Sequence, residues 1–165
     1  MIKEREKFLG RLNSKGMFSE EMLMKRSEFK SIKGPVNKVV ARFTDGRLVK
    51  GTTVDFFPTK DFFHVSVVTA PAGTKPMEIN KKDLKALFFV KDFAGDPYHI
   101  ERNEFDPSNP PAGRRIRVEF TDGEVLVGTT TGYQPGRQGF FIVPADASSN
   151  VERCYVAATR KVSYL

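Results

Sequence analysis

NKVVARFTDGRLVKGTTVDFFPTKDFFHVSVV (residues 37–68) is written a second time as RRIRVEFTDGEVLVGTTTGYQPGRQGFFIVPA (residues 114–145), 77 positions on and without a gap. Phe43-Thr44-Asp45-Gly46 recurs as Phe120-Thr121-Asp122-Gly123, and Gly51-Thr52-Thr53 as Gly128-Thr129-Thr130. Repetition at a fixed spacing means one structural unit used twice. Each copy opens on period-two alternation. Val39, Ala41 and Phe43 stand against Lys38, Val40 and Arg42; Ile116, Val118 and Phe120 stand against Arg115, Arg117 and Glu119. That pattern predicts a strand with one buried face.

The Asp-Gly pairs predict hairpin turns of the two-residue type I′ class, because Asp and Gly tolerate positive φ. Second strands follow over 48–54 and 125–131, with Gly51 and Gly128 inside them. Glycine within a strand predicts a sharp bend or a bulge. Third strands are expected over 62–67 and 139–143. The last two strands of each copy are expected over 77–79 and 84–90, then over 154–156 and 160–165. Five short, bent strands per copy predict a mainly β chain of two tandem five-stranded small barrels.

Four segments follow. Residues 1–35 are a basic helical or disordered extension, with Ser19 as a helix cap and Met22, Leu23 and Phe29 as a ragged apolar face. Residues 36–90 are the first barrel and 114–165 the second. Residues 91–113 connect them; their prolines and glycines read as loop, while Phe93, Tyr98, Ile100 and Phe105 should pin it against a barrel.

The net charge of +7 is unevenly spread. Residues 1–38 hold ten Lys/Arg against five Asp/Glu, whereas residues 99–165 hold eight of each. The excess is a property of the N-terminal segment rather than of the second barrel. Such a segment attracts phosphates or acidic surfaces without sequence specificity. Apolar runs of membrane-spanning or signal-peptide length are absent from the sequence, so a cytoplasmic protein with no membrane partner is expected. The single cysteine, Cys154, excludes an intrachain disulfide and a cysteine-based zinc cluster.

The unit apolar-x-apolar-x-Phe-x-Asp-Gly-x-x-x-x-Gly resembles the first half of an Sm-like or SH3-like barrel. Sm proteins read RNA partly through a loop bearing an Arg-Gly pair; the matching stretch, residues 79–84, is Ile-Asn-Lys-Lys-Asp-Leu and has none. A longer resemblance runs through FTDGRLVKGTTVDFFP, DLKALFFVKDFAGDP, FTDGEVLVGTTTGYQPGRQGFFIVPAD and SNVERCYVA. These segments are similar, in this order, to a bacterial family described only as a domain of unknown function. That resemblance implies a module and no reaction.

The chemistry-bearing residues are few. His64 aligns with Phe141, so a structural or surface role is expected of it. Two histidines, His64 and His99, without a carboxylate motif predict no metal site, and no cofactor is expected. Cys154 alternates with Val156 and reads as core. Asp45 and Asp122 read as turn formers rather than paired catalytic carboxylates. A phosphate-cradling glycine loop and the Asp/Asn-x-Ser-x-x-Gly half of a PilZ signature are both missing.

Two surfaces remain. Lys38, Arg42, Arg115 and Arg117 lie on the outward face of the opening strands and are candidate nucleic-acid contacts. The doubled phenylalanines cannot both face one core, so Phe57, Phe62, Phe89 and Phe141 are candidates for a seam between barrels or a partner contact. The expected function is a non-enzymatic binding or scaffold protein whose partner is another protein or a second copy. The alternative is RNA or DNA binding through the basic face and N-terminal arm.

Overall fold

The computed structural model describes residues 7–8, 10–11, 35–108 and 112–165. Two units are distinguished, residues 1–36 and 37–165. In the first, two short strands, β1 (Lys7–Phe8) and β2 (Gly10–Arg11), pair in parallel. The helical segment expected around Ser19, Met22, Leu23 and Phe29 lies outside the described residues.

The second unit is mainly β. Its first copy supplies β3 (Asn37–Phe43), β4 (Leu48–Thr53), β5 (Phe62–Val67), β6 (Met77–Asn80) and β7 (Leu84–Val90). Its second copy supplies β8 (Arg114–Phe120), β9 (Val125–Thr130), β10 (Phe140–Pro144), β11 (Val151–Val156) and β12 (Thr159–Tyr164). Among its described residues the helical content is one 3-10 turn, Lys81–Asp83. All ten strands join one antiparallel sheet, in the order β12-β8-β9-β10-β11-β7-β3-β4-β5-β6.

The expectation of two separate closed barrels is therefore corrected to one continuous sheet that is not closed. The cause is β7, which pairs with β3 of its own copy on one side and with β11 of the other copy on its second side. Its burial follows from that position. Six of its seven residues are buried, and successive side chains enter different cores. Leu87 and Phe89 join Val39, Ala41, Phe43, Phe63 and Val65, while Ala86 joins Ile116, Val118, Phe120 and Ile142.

The Asp-Gly turns differ from the type I′ expectation. Gly46 N–H donates to Phe43 C=O, and Phe43 N–H donates to Arg47 C=O, each at 3.0 Å. The second copy repeats this with Gly123, Phe120 and Glu124. These bonds enclose three residues, and the glycine occupies the left-handed region, at φ 94° and 92°. The aspartate serves differently: its carboxylate accepts the N–H two residues on, from Arg47 at 2.9 Å and Glu124 at 3.0 Å.

Gly51 and Gly128 are required by close approach. A Cβ on Gly51 would lie 2.3 Å from Ser66 O, and one on Gly128 would lie 2.0 Å from Val143 O. The following strand crosses tightly over each, so the second strand of each copy bends where it has no side chain.

Candidate functional site

The connector and the loop between β10 and β11 meet to form a cleft of about 580 Å³. Its walls include Asp92, Asp96, His99, Glu101, Ser148 and Asn150. Two anchors hold these loops together. Asn150 receives Asp92 N–H on Oδ1 at 3.0 Å and donates from Nδ2 to Asp92 C=O at 2.7 Å. Asp146, whose side chain is 0% exposed, accepts Ser148 N–H and Oγ–H on Oδ1 and Arg102 N–H on Oδ2, the last at 3.0 Å.

The hydroxyl of Ser148 is the main cause holding the Asp146 carboxyl far below the usual carboxylate range; burial opposes it, and the Arg102 and Ser148 amides assist. His99 Nε2 lies 3.1 Å from Asp146 Oδ2 and 3.7 Å from Glu101 Oε1. That nitrogen is buried and makes no hydrogen bond. His99, Glu101 and Asp146 thus gather three donor atoms within 4.8 Å of one another. The sequence reading, which expected no metal site, did not bring these three residues together. The signal available was weak: a His-x-Glu pair and an Asp-x-Ser turn far apart in the chain.

Residues 36–164 match a family of unknown function, DUF6982. The chain belongs to that family. No curated protein and no solved structure matches it.

In this DUF6982 chain the four basic residues of the opening strands are dispersed in role. Arg42 Nη1 lies 3.6 Å from Glu124 Oε1. Lys38 Nζ donates to Lys91 C=O at 3.5 Å and sits 6.0 Å from the Phe93 ring. Arg115 lies over Phe105 at 4.7 Å. Arg117, half-buried, faces Val127 and Ser163 on the flanking strands.

The four phenylalanines also divide. Phe89 is buried and its ring lies 5.9 Å from that of Phe141. Both surround Phe56, which makes T-shaped contacts with Phe63 and Tyr155 at 5.0 Å. Phe57 and Phe62 remain 46% and 47% exposed. Lys60 covers the Phe57 ring at 5.0 Å. In the connector, Phe93 and Phe105 receive the cations of Lys38 and Arg115, but Tyr98 and Ile100 stand out at 90% and 82% exposure. The expectation that all four connector residues pin it to a barrel is corrected accordingly. A turn at Asp96, whose Oδ1 accepts Tyr98 N–H at 2.9 Å, precedes His99 on the cleft wall, and its two neighbours face solvent.

Other ionisable groups are held in structural bonds. Lys85 Nζ, buried in β7, contacts Asp122 Oδ2 at 2.7 Å and also Glu124. Lys81 Nζ donates to Phe57 C=O and lies over the Phe56 and Tyr155 rings; its burial lowers its pKa. His64 Nδ1 lies 2.7 Å from Asp55 Oδ2. Burial raises the Asp55 pKa, but bonds from His64 N–H, the His64 ring and the Thr53 hydroxyl outweigh it, so the net shift is downward. The other ring nitrogen of His64 lies 4.0 Å from Glu78 Oε2. Burial pushes the Cys154 thiol well up, away from the thiolate form that reacts. No helix among the described residues is long and apolar enough to cross a membrane.

Proposed function

We propose that this chain is a non-enzymatic binding or scaffold module, made of two Sm/SH3-like five-stranded halves joined edge to edge. Each half has the same strand order, the fifth strand returning to the first: β7-β3-β4-β5-β6 and β12-β8-β9-β10-β11. That order supports the small-barrel reading. The observation that carries the binding reading is the cleft, whose volume lies in the range of small-ligand sites and whose two loops are tied to each other through Asn150 and Asp146. His64–Asp55 and Lys85–Asp122 lend no support to catalysis, since their partners are turns and neighbouring strands.

Generic ester and phosphoester substrates are expected to give no turnover, while native mass spectrometry of protein purified from cells shows a retained ligand. Robust turnover abolished by one polar substitution, such as His64→Ala, contradicts this reading.

A second reading, nucleic-acid binding, is favoured by one observation: Arg115, Arg117 and Lys161 share the outward face of β8 and β12. It predicts a gel shift at low salt that weakens steeply as salt rises, and weakens further without residues 1–35. Absence of a shift at low salt removes it.

A further inference from the structure

We propose that His99, Glu101 and Asp146 form a binding site for a divalent transition metal of the zinc class. The distances between donor atoms fit. Zinc bonds of about 2.0–2.2 Å in a tetrahedron place neighbouring ligand atoms roughly 3.3–3.6 Å apart. His99 Nε2 lies 3.1 Å from one carboxylate oxygen and 3.7 Å from the other, and the three atoms span no more than 4.8 Å. An ion entering the triangle needs only small side-chain adjustments.

The hydrogen-bond inventory fits as well. Asp146 Oδ1 is occupied by both Ser148 donors. Asp146 Oδ2 accepts one bond, from Arg102 N–H, and a carboxylate oxygen has two acceptor positions. His99 Nε2 lies 3.1 Å from that oxygen. The buried His99 Nε2 is without a hydrogen bond, which is costly for a polar atom unless something else occupies its lone pair. The Ser148 and Arg102 bonds hold the Asp146 carboxylate in place, as outer-shell partners do around metal ligands. The Arg102 guanidinium opposes a cation here, but its Nη2 lies 3.7 Å from Asp146 Oδ1 rather than Oδ2, and its side chain is 71% exposed.

The donor set selects the class of ion. An imidazole nitrogen with two carboxylates suits zinc, nickel or ferrous iron better than magnesium or calcium, which take oxygen shells. Three protein ligands leave a fourth position for water or a bound ligand, toward the cleft that His99 and Glu101 line. The assignment deepens the reading of the cleft as a binding site. It fails separately from that reading, because retention of an organic ligand is measured independently.

The test is a competition titration of the full chain with Zn²⁺ against a chromophoric chelator. One site per chain is expected, weakened at least about tenfold in both His99→Ala and Glu101→Gln. Glu101→Gln keeps the shape of a side chain whose polar contact among the described residues is with His99, so it tests the ligand without removing a structural bond. His64→Ala should leave the site intact and controls for the other histidine. Absence of a one-to-one site, or a site that survives either His99→Ala or Glu101→Gln, overturns the proposal.

Discussion

The inner junction of the sheet and its two outer edges are built from equivalent positions with opposite chemistry. At the junction, Phe141 on β10 faces Tyr155 on β11; at the β6 edge, the same positions are His64 and Glu78. On β7, Ala86 and Phe88 stand opposite Arg42 and Val40; on β12, Lys161 and Ser163 stand opposite Glu119 and Arg117. Where the other copy covers the outward face, these positions of β7, β10 and β11 are apolar or aromatic, and the charged residues Arg42 and Lys85, which reach the junction, are paired with Glu124 and Asp122 of the other copy. At the two edge strands, the equivalent positions are charged or polar. Repeat arrays cap their ends by the same logic, and charged side chains on short edge strands oppose further pairing. The duplicated units thus diverged according to their neighbours, with glycines and turns held common.

The largest expected effect breaks the junction. Tyr155 is buried and its ring meets Phe56 and Phe141 at 5.0 and 5.4 Å, so Tyr155→Ala should cost about 3 kcal/mol or more in urea unfolding. Glu78→Ala, at the equivalent edge position, should change stability by less than about 0.5 kcal/mol. Equal effects at the two sites would erase the comparison.

A smaller effect concerns the ionic latch between the copies. The Lys85 ammonium is the main cause holding the Asp122 carboxyl below its ordinary value of 3.8, with the Glu124 amide second. A depressed folded pKa stabilises above the unfolded value, and that contribution fades as pH falls through the folded one. The urea midpoint of the wild type should therefore drop as pH falls below about 4. Lys85→Met, which leaves two exposed carboxylates and no buried charge, should drop less over the same window and differ little near neutrality.

The least energetic change tests the edges. The wild-type chain is expected to scatter light as a single copy. Carrying junction residues to the edges, as His64→Phe, Glu78→Tyr, Lys161→Ala and Ser163→Phe together, should produce concentration-dependent head-to-tail association. An unchanged mass would mean that polar edge residues are not what limits growth of the sheet.

Strand positions were legible because alternation and bend glycines are local signals. Val39, Ala41 and Phe43 alternate as a half-buried strand must, and Gly51 marks a backbone contact that excludes any side chain. The turn class was not legible, because Asp-Gly suits both a two-residue and a three-residue loop; the choice depends on where the flanking strands pair. The stretch Leu84–Val90, apolar apart from Lys85, reads as a strand buried on both sides, yet it does not name β11 as the second neighbour. That identity is a long-range pairing with no local cue. The cleft was least legible of all. Asp146 reads as a turn residue, His99 as an isolated histidine, and only the fold brings them to 3.1 Å.

Pairing of β7 with β11 makes the two copies one cooperative body. Native-state hydrogen exchange measures this directly on the central amides of β3 and β8, one strand from each core. They should share one opening free energy, and Tyr155→Ala should lower both by the same amount. Two distinct free energies, or a loss confined to β3, would contradict it.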